Sequence, residues 1–263
     1  MHLNELPILL KYPDIHILLN DITAGLQSVL GKKLVGLYLY GSMVAGDFDY
    51  EISDIDLLAA TETAVDTNEL DILERLHARL AFTNRAWTDR IETAYVSLEA
   101  LKTFKARSSL IANISPGEPL HFLDAGRDWL LNWYFVREMG VTLCGVSPEK
   151  IIAPVSKEEF IEAVREQARE RAANIDRARF SRPFQAYLIM TVCRALYASE
   201  RGEQVSKRRA ASSAAKRFPE YAALIENAFE WRARHREKNV NHEATFSETK
   251  EFVCRIVNLI SDK

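Results

Sequence analysis

The sequence predicts an α+β fold: an N-terminal domain with a small mixed sheet and flanking helices, followed by an all-helical C-terminal domain. Two observations carry this expectation. Runs of β-forming residues alternate with stretches of helical periodicity as far as Val96, whereas beyond Pro154 only helical patterns remain. Charge changes sign at the same place: residues 1–153 hold 13 Lys and Arg against 21 Asp and Glu, and residues 154–263 hold 21 against 16. The expected domains are therefore residues 1–153 and 154–263.

The elements follow in order. Ile15, Leu18, Leu19, Ile22, Leu26, Val29 and Leu30 recur at helical spacing and Gly31 follows as a stop, which predicts a helix over 15–30. Leu34 to Tyr40, Asp54 to Ala60 and Arg90 to Val96 read as strands from their β-forming and apolar content. Between the last two, Asn68 to Phe82 sets Leu70, Leu73, Leu76, His77 and Leu80 on one helical face, where His77 is expected to be a hydrogen-bonded core residue. A further helix over 126–140 precedes the boundary. After it, Ser156 and Glu159 form a capping box. Helices are then expected over 157–176, 183–201, 206–217, 219–237 and 246–261, punctuated by Gly202 and Pro219.

With 263 residues and 48% hydrophobic content the chain can build a substantial core. No apolar run is long enough for a membrane span, and the first residues lack the basic-then-apolar order of a signal peptide, so a cytoplasmic protein without a membrane partner is expected. Cys144, Cys193 and Cys254 are far apart and form no CxxC pair, which argues against a disulfide framework or a zinc site. Neither a long basic stripe nor interleaved aromatics is visible, so no nucleic-acid partner is expected.

Chemistry concentrates in Tyr40-Gly41-Ser42-Met43-Val44-Ala45-Gly46-Asp47 and Ser53-Asp54-Ile55-Asp56-Leu57-Leu58. Gly41, directly after a strand, lets the backbone turn sharply and approach a ligand, and Ser42 opens a helix whose N–H groups favour an anion. This is a phosphate cradle. Asp54 and Asp56 are two apart on a strand and share a face, while Ile55 points into the core. Such a pair of hard oxygen ligands beside a triphosphate cradle suits Mg²⁺, which completes its octahedron with water and substrate phosphates. Glu92, on a strand able to pair beside that of Asp54 and Asp56, is the third carboxylate, as a metal ligand or as the base for an attacking hydroxyl. The implied chemistry is magnesium-dependent nucleotidyl transfer.

At these residues the chain resembles the polymerase-β-like nucleotidyltransferase superfamily, with its GS, Gly and DxD signature. Tyr187 to Tyr197 and Gly202-Glu203-Gln204-Val205-Ser206-Lys207 resemble the helical domain of streptomycin/spectinomycin O-adenylyltransferases. The resemblance implies that Gly41 and Ser42 hold the ATP triphosphate, with Ser53 also near phosphate, and that Asp54 and Asp56 bind magnesium. It implies that Glu92 is the general base on the acceptor hydroxyl. It also implies that Lys207, assisted by Arg194, reaches the ATP phosphates, and that Trp231 lies near the nucleotide.

The acceptor region departs from that pattern. Family members acting on streptomycin carry Trp after a Gly-Glu pair, but Gly117-Glu118 is followed here by Pro119. They also carry acidic residues where this chain reads Ser181-Arg182-Pro183-Phe184-Gln185. A polycationic drug needs facing carboxylates, so spectinomycin is favoured over streptomycin, with Glu118, Asp124 or Asp128 able to compensate its charge. The expectation is a monomeric, ATP-dependent O-adenylyltransferase acting on an aminocyclitol or aminoglycoside and conferring resistance. One alternative is the same enzyme with a non-antibiotic acceptor. Another is a toxin–antitoxin type regulatory protein, prompted by the spacing of Arg236 and His242.

Overall fold

In the computed structural model the chain forms two compact units, Met1–Val155 and Ser156–Lys263, and the structure describes residues 11–234, 237 and 240–261. The first unit is built on a sheet of six strands: β1 (Leu34–Tyr40), β2 (Ile55–Thr61), β3 (Ile91–Ser97), β4 (Ser109–Ser115), β5 (Glu118–Ala125) and β6 (Val141–Gly145). Their spatial order is β5-β4-β3-β2-β1-β6. The β2–β3 pair is parallel and the other pairs are antiparallel, as expected of a mixed sheet.

Two long helices, α1 (Pro13–Leu30) and α3 (Thr67–Thr83), cover one face of the sheet. Their apolar stripes meet inward strand residues in a core that includes Leu18, Ile22, Leu76, Leu39, Ile55 and Leu57. The i, i+3, i+4 spacing in the helices and the alternation in the strands are what allow this. Between β1 and β2 lies the short helix α2 (Ser42–Ala45); α4 (Leu98–Thr103) and α5 (Leu130–Met139) complete the unit.

The second unit consists of α6 (Lys157–Ala173), α7 (Arg182–Arg201), α8 (Lys207–Arg217), α9 (Ala222–Ala233) and α10 (Phe246–Ser261). The central α7 packs against each of the other four. Polar stitching fixes its position, because Gln185 is fully buried and fully used. Its amide donates to Ala178 O and His242 O at 3.0 and 2.8 Å, and its Oε1 accepts from Thr245 and Thr249 at 2.7 and 3.2 Å.

Local signals read from the sequence recur here. Ser156 and Glu159 form the capping box of α6, Gly31 and Gly202 terminate helices with φ of 52° and 68°, and the hydroxyl of Tyr95 bonds His77 Nε2 at 2.7 Å in the core. Other expectations are revised. The helix expected over 126–140 begins as a 3-10 turn at Arg127–Trp129, and that over 157–176 ends at Ala173. Pro219 opens a separate 3-10 turn ahead of α9, which stops at Ala233. Three strands, β4 to β6, were not foreseen. Pro119, His121 and Asp124 in β5 and Asn113 in β4 lower the local strand preference, and pairing within the sheet overrides it.

Candidate active site

The end of β1 and the start of β2 and β3 build the site. Gly41 has φ of 72°, a left-handed conformation open to glycine, and it swings the chain from β1 into α2. A methyl group on Gly41 would overlap the Asp56 carboxylate, so glycine is required both for the turn and for the close approach. The Ser42 hydroxyl is buried with no hydrogen-bond partner among the described residues, an orphan suited to a phosphate oxygen.

Asp54 precedes β2 and Asp56 is its second residue, with the intervening Ile55 fully buried in the helix-covered core. Parallel pairing sets Asp56 opposite Glu92, and antiparallel pairing sets Tyr40 opposite Asp56. Carboxylate oxygens of Asp54, Asp56 and Glu92 consequently lie within 4.8 Å of one another. Three hard, anionic donors this close repel one another unless a cation or proton joins them, so the set fits a Mg²⁺ ion. Burial, and then the charges of Asp54 and Glu118, push the Glu92 carboxyl up to about 7. Tyr40 is raised well above the usual phenol range by burial and then by Asp56, Glu92 and Asp54; it stays neutral and borders the site as a hydroxyl.

The loop leading into Asp54 is braced from two sides. Ser53 is fully buried, and its hydroxyl accepts from the Asp49 N–H at 2.9 Å. Arg90, just before β3, donates through Nε to Ser53 O at 3.0 Å and through Nη2 to Tyr50 O at 2.6 Å. Its guanidinium stacks over Trp87 at 4.4 Å. Arg90 thereby ties the approach to Asp54 and Asp56 to the strand that carries Glu92. Sequence reasoning did not single it out, because a cation at a strand start has no local signature.

The remaining expected site residues lie in the second unit. Arg194 is within α7, and Lys207 is the first residue of α8, where the Ser206 hydroxyl caps the helix by accepting from Arg209 N–H at 3.2 Å. Trp231, on α9, stacks with the Arg182 guanidinium at 5.3 Å, beside the first residue of α7, whereas Lys207 follows the last residue of α7 by a short loop. His242 accepts the Arg182 N–H through Nδ1 at 3.1 Å and so caps α7; Arg236, its partner in the regulatory reading, lies outside the described residues.

Comparison with known proteins bears on the class to which this fold belongs. Residues 150–258 match the family described as aminoglycoside adenylyltransferase, C-terminal domain. In fold, the chain is similar to the crystal structure of spectinomycin adenyltransferase AAD(9) from Enterococcus faecialis with ATP and spectinomycin. The TM-score is 0.70 at 16% identity, over 91% of this chain and 99% of that one. No curated protein matches in sequence. The match of the helical part and the likeness in fold both point to a nucleotidyltransferase. Within that class its likeness is to the aminoglycoside adenylyltransferases, through the family match of its helical part and through its fold.

Proposed function

We propose that the chain is an ATP-dependent O-adenylyltransferase that moves AMP onto a hydroxyl of an aminocyclitol or aminoglycoside antibiotic, spectinomycin in preference to streptomycin, and so confers resistance. The observation that carries this reading is the gathering of Asp54, Asp56 and Glu92 oxygens within 4.8 Å beside the Gly41–Ser42 turn. Family match and fold likeness support the reaction class.

Asp54 and Asp56, with Glu92 completing the group, are the residues that would hold Mg²⁺. When bound, the ion supplies charge neutralisation for the phosphates of ATP. The Ser42 hydroxyl and the N–H groups after Gly41 orient the triphosphate. Glu92 accepts the proton of the acceptor hydroxyl as that oxygen bonds to the α-phosphorus. The bond from the α-phosphorus to the bridging oxygen breaks, and pyrophosphate leaves with the electron pair. From the helical unit, Lys207 and Arg194 are the proposed cations for the phosphates, and Trp231 the aromatic for the nucleotide.

The test is incubation with MgATP and a panel of spectinomycin, streptomycin and other hydroxyl-bearing antibiotics, read by mass spectrometry. Addition of one AMP to spectinomycin is expected. Intact ATP binding with no adenylylated product across the panel overturns the acceptor assignment.

A further inference from the structure

The sheet carries polar residues beyond the three carboxylates, and their alignment follows from strand register. Thr93 of β3 faces Ile114 of β4, so one step outward along the same ladder Ser115 stands beside Glu92. On the other side of β4, Asn113 faces His121, yet Ser115 faces Glu118. Two residues of β4 therefore span three of β5, which places a bulge at Pro119 and Leu120. Proline is tolerated there because β5 is an edge strand and the ladder loses no obligatory donor.

The bulge changes which way Glu118 points. Leu120 is buried in the core beneath α1 and α3, and regular alternation would send Glu118 to that same side. With one extra residue in the strand, Glu118 joins Ser115, Glu92 and Asp56 on the opposite face. The hairpin tip is held in place, since Gly117, with φ of 81°, donates its N–H to Asp89 Oδ1 at 2.6 Å in the loop that enters β3.

A second observation points to a ligand there. Asn113 is only 3% exposed and donates its amide to Ser115 Oγ at 2.9 Å, but its Oδ1 is buried with no partner among the described residues. A buried acceptor without a donor is costly, whereas Glu118 is exposed at the start of β5 and open to a ligand. Register puts that buried oxygen on the same face of the sheet as the Glu118 carboxylate, and the two together suit a cationic N–H donor.

We propose that Glu118, supported by Asn113 and Ser115, is the specificity-determining subsite for a protonated amine of the acceptor, whose hydroxyl lies at Glu92. The proposal rests on the adenylyltransferase reading and deepens it: of the carboxylates available to meet acceptor charge, Glu118 lies in the same cross-strand row as the base. Two strand spacings separate Glu118 from Glu92, so the acceptor carries its reacting hydroxyl and its amine within roughly 10 Å of each other.

The experiment compares wild type with Glu118→Gln in the full chain, using spectinomycin and spectinomycin acylated at its amines. In steady-state kinetics, Glu118→Gln raises the KM for spectinomycin by about 10- to 100-fold, with kcat and the KM for MgATP within about twofold of wild type. Acylation costs wild type a similar factor and costs the variant nothing further. Equal KM values for the two proteins, or an acylation penalty that persists in Glu118→Gln, overturn the proposal. Calorimetric binding separates the two readings. If wild type binds spectinomycin but transfers no AMP, adenylyl transfer fails as the function, and the subsite is judged by binding. Wild type that does not prefer the amine-bearing compound to its acylated form overturns the subsite.

Discussion

Gly41 and Asp56 touch so closely that the smallest side chain on the first would displace the carboxylate of the second. The turn that ends β1 and Asp56, the second residue of β2, are thus one structural unit. Their closeness follows from the antiparallel β1–β2 register, which sets Tyr40 opposite Asp56.

Gly41→Ala is therefore expected to act twice. The left-handed conformation costs roughly 1–2 kcal/mol of stability for a residue with a Cβ, and displacement of Asp56 disturbs the proposed metal-binding carboxylates. Turnover should fall by about 100-fold or more, together with Mg²⁺ affinity, while thermal unfolding shows a modest loss. Near wild-type Mg²⁺ binding in a folded Gly41→Ala protein would contradict the shared geometry.

Glu92 gives the metal-free protein a pH dependence whose sign is set by its raised carboxyl. The native state holds this proton more tightly than the unfolded chain, so the stability it contributes is complete below about 4.5 and is lost as pH rises through about 7. In chelator, the melting temperature of wild type should decline over that window relative to Glu92→Gln. Added Mg²⁺ should reverse the decline with release of a proton, which a pH-indicator titration would register. Parallel melting curves for the two proteins would show that Glu92 is not held in its protonated form.

Arg90→Met should uncouple the loop before Asp54 from β3. Loss of the bonds to Ser53 O and Tyr50 O is expected to cost about 2–3 kcal/mol in urea unfolding. It should also lower kcat by roughly 10-fold or more, because the aspartates are no longer held in register with Glu92. A variant that loses stability but keeps wild-type kcat would restrict Arg90 to a purely structural role.

His77 supplies a second, opposite pH dependence. Burial lowers its imidazole from 6.5 to about 4. A lowered folded value means the unfolded chain takes up the proton first, so the stability present above 6.5 is lost as pH falls towards 4, by up to about 3 kcal/mol. The stability gap between wild type and His77→Gln, measured by urea unfolding, should narrow over that range. A gap that does not change with pH would contradict the neutral, buried imidazole.

Local chemistry explains what was legible in advance. The period-2 placement of Asp54 and Asp56 around Ile55, the turn at Gly41, the capping box at Ser156 and Glu159, and the buried His77 all depend on residues a few positions apart or on one helical stripe. What stayed hidden was non-local. Nothing near Arg90 announces two carbonyl partners some 40 positions earlier, and the polar residues of β4 and β5 conceal strands that exist because neighbouring strands pair with them.

The sequence by itself determined the α+β then all-helical order, the glycine-serine turn and the identity of the acidic residues. These are written in periodicity and in the conformational demands of single residues. Only the tertiary structure decided that Glu92 stands opposite Asp56, that its carboxyl is lifted to about 7, and that a bulge turns Glu118 to the same face. Register, burial and the field of neighbouring charges are properties of strands brought together across the chain, and no short window of residues contains them.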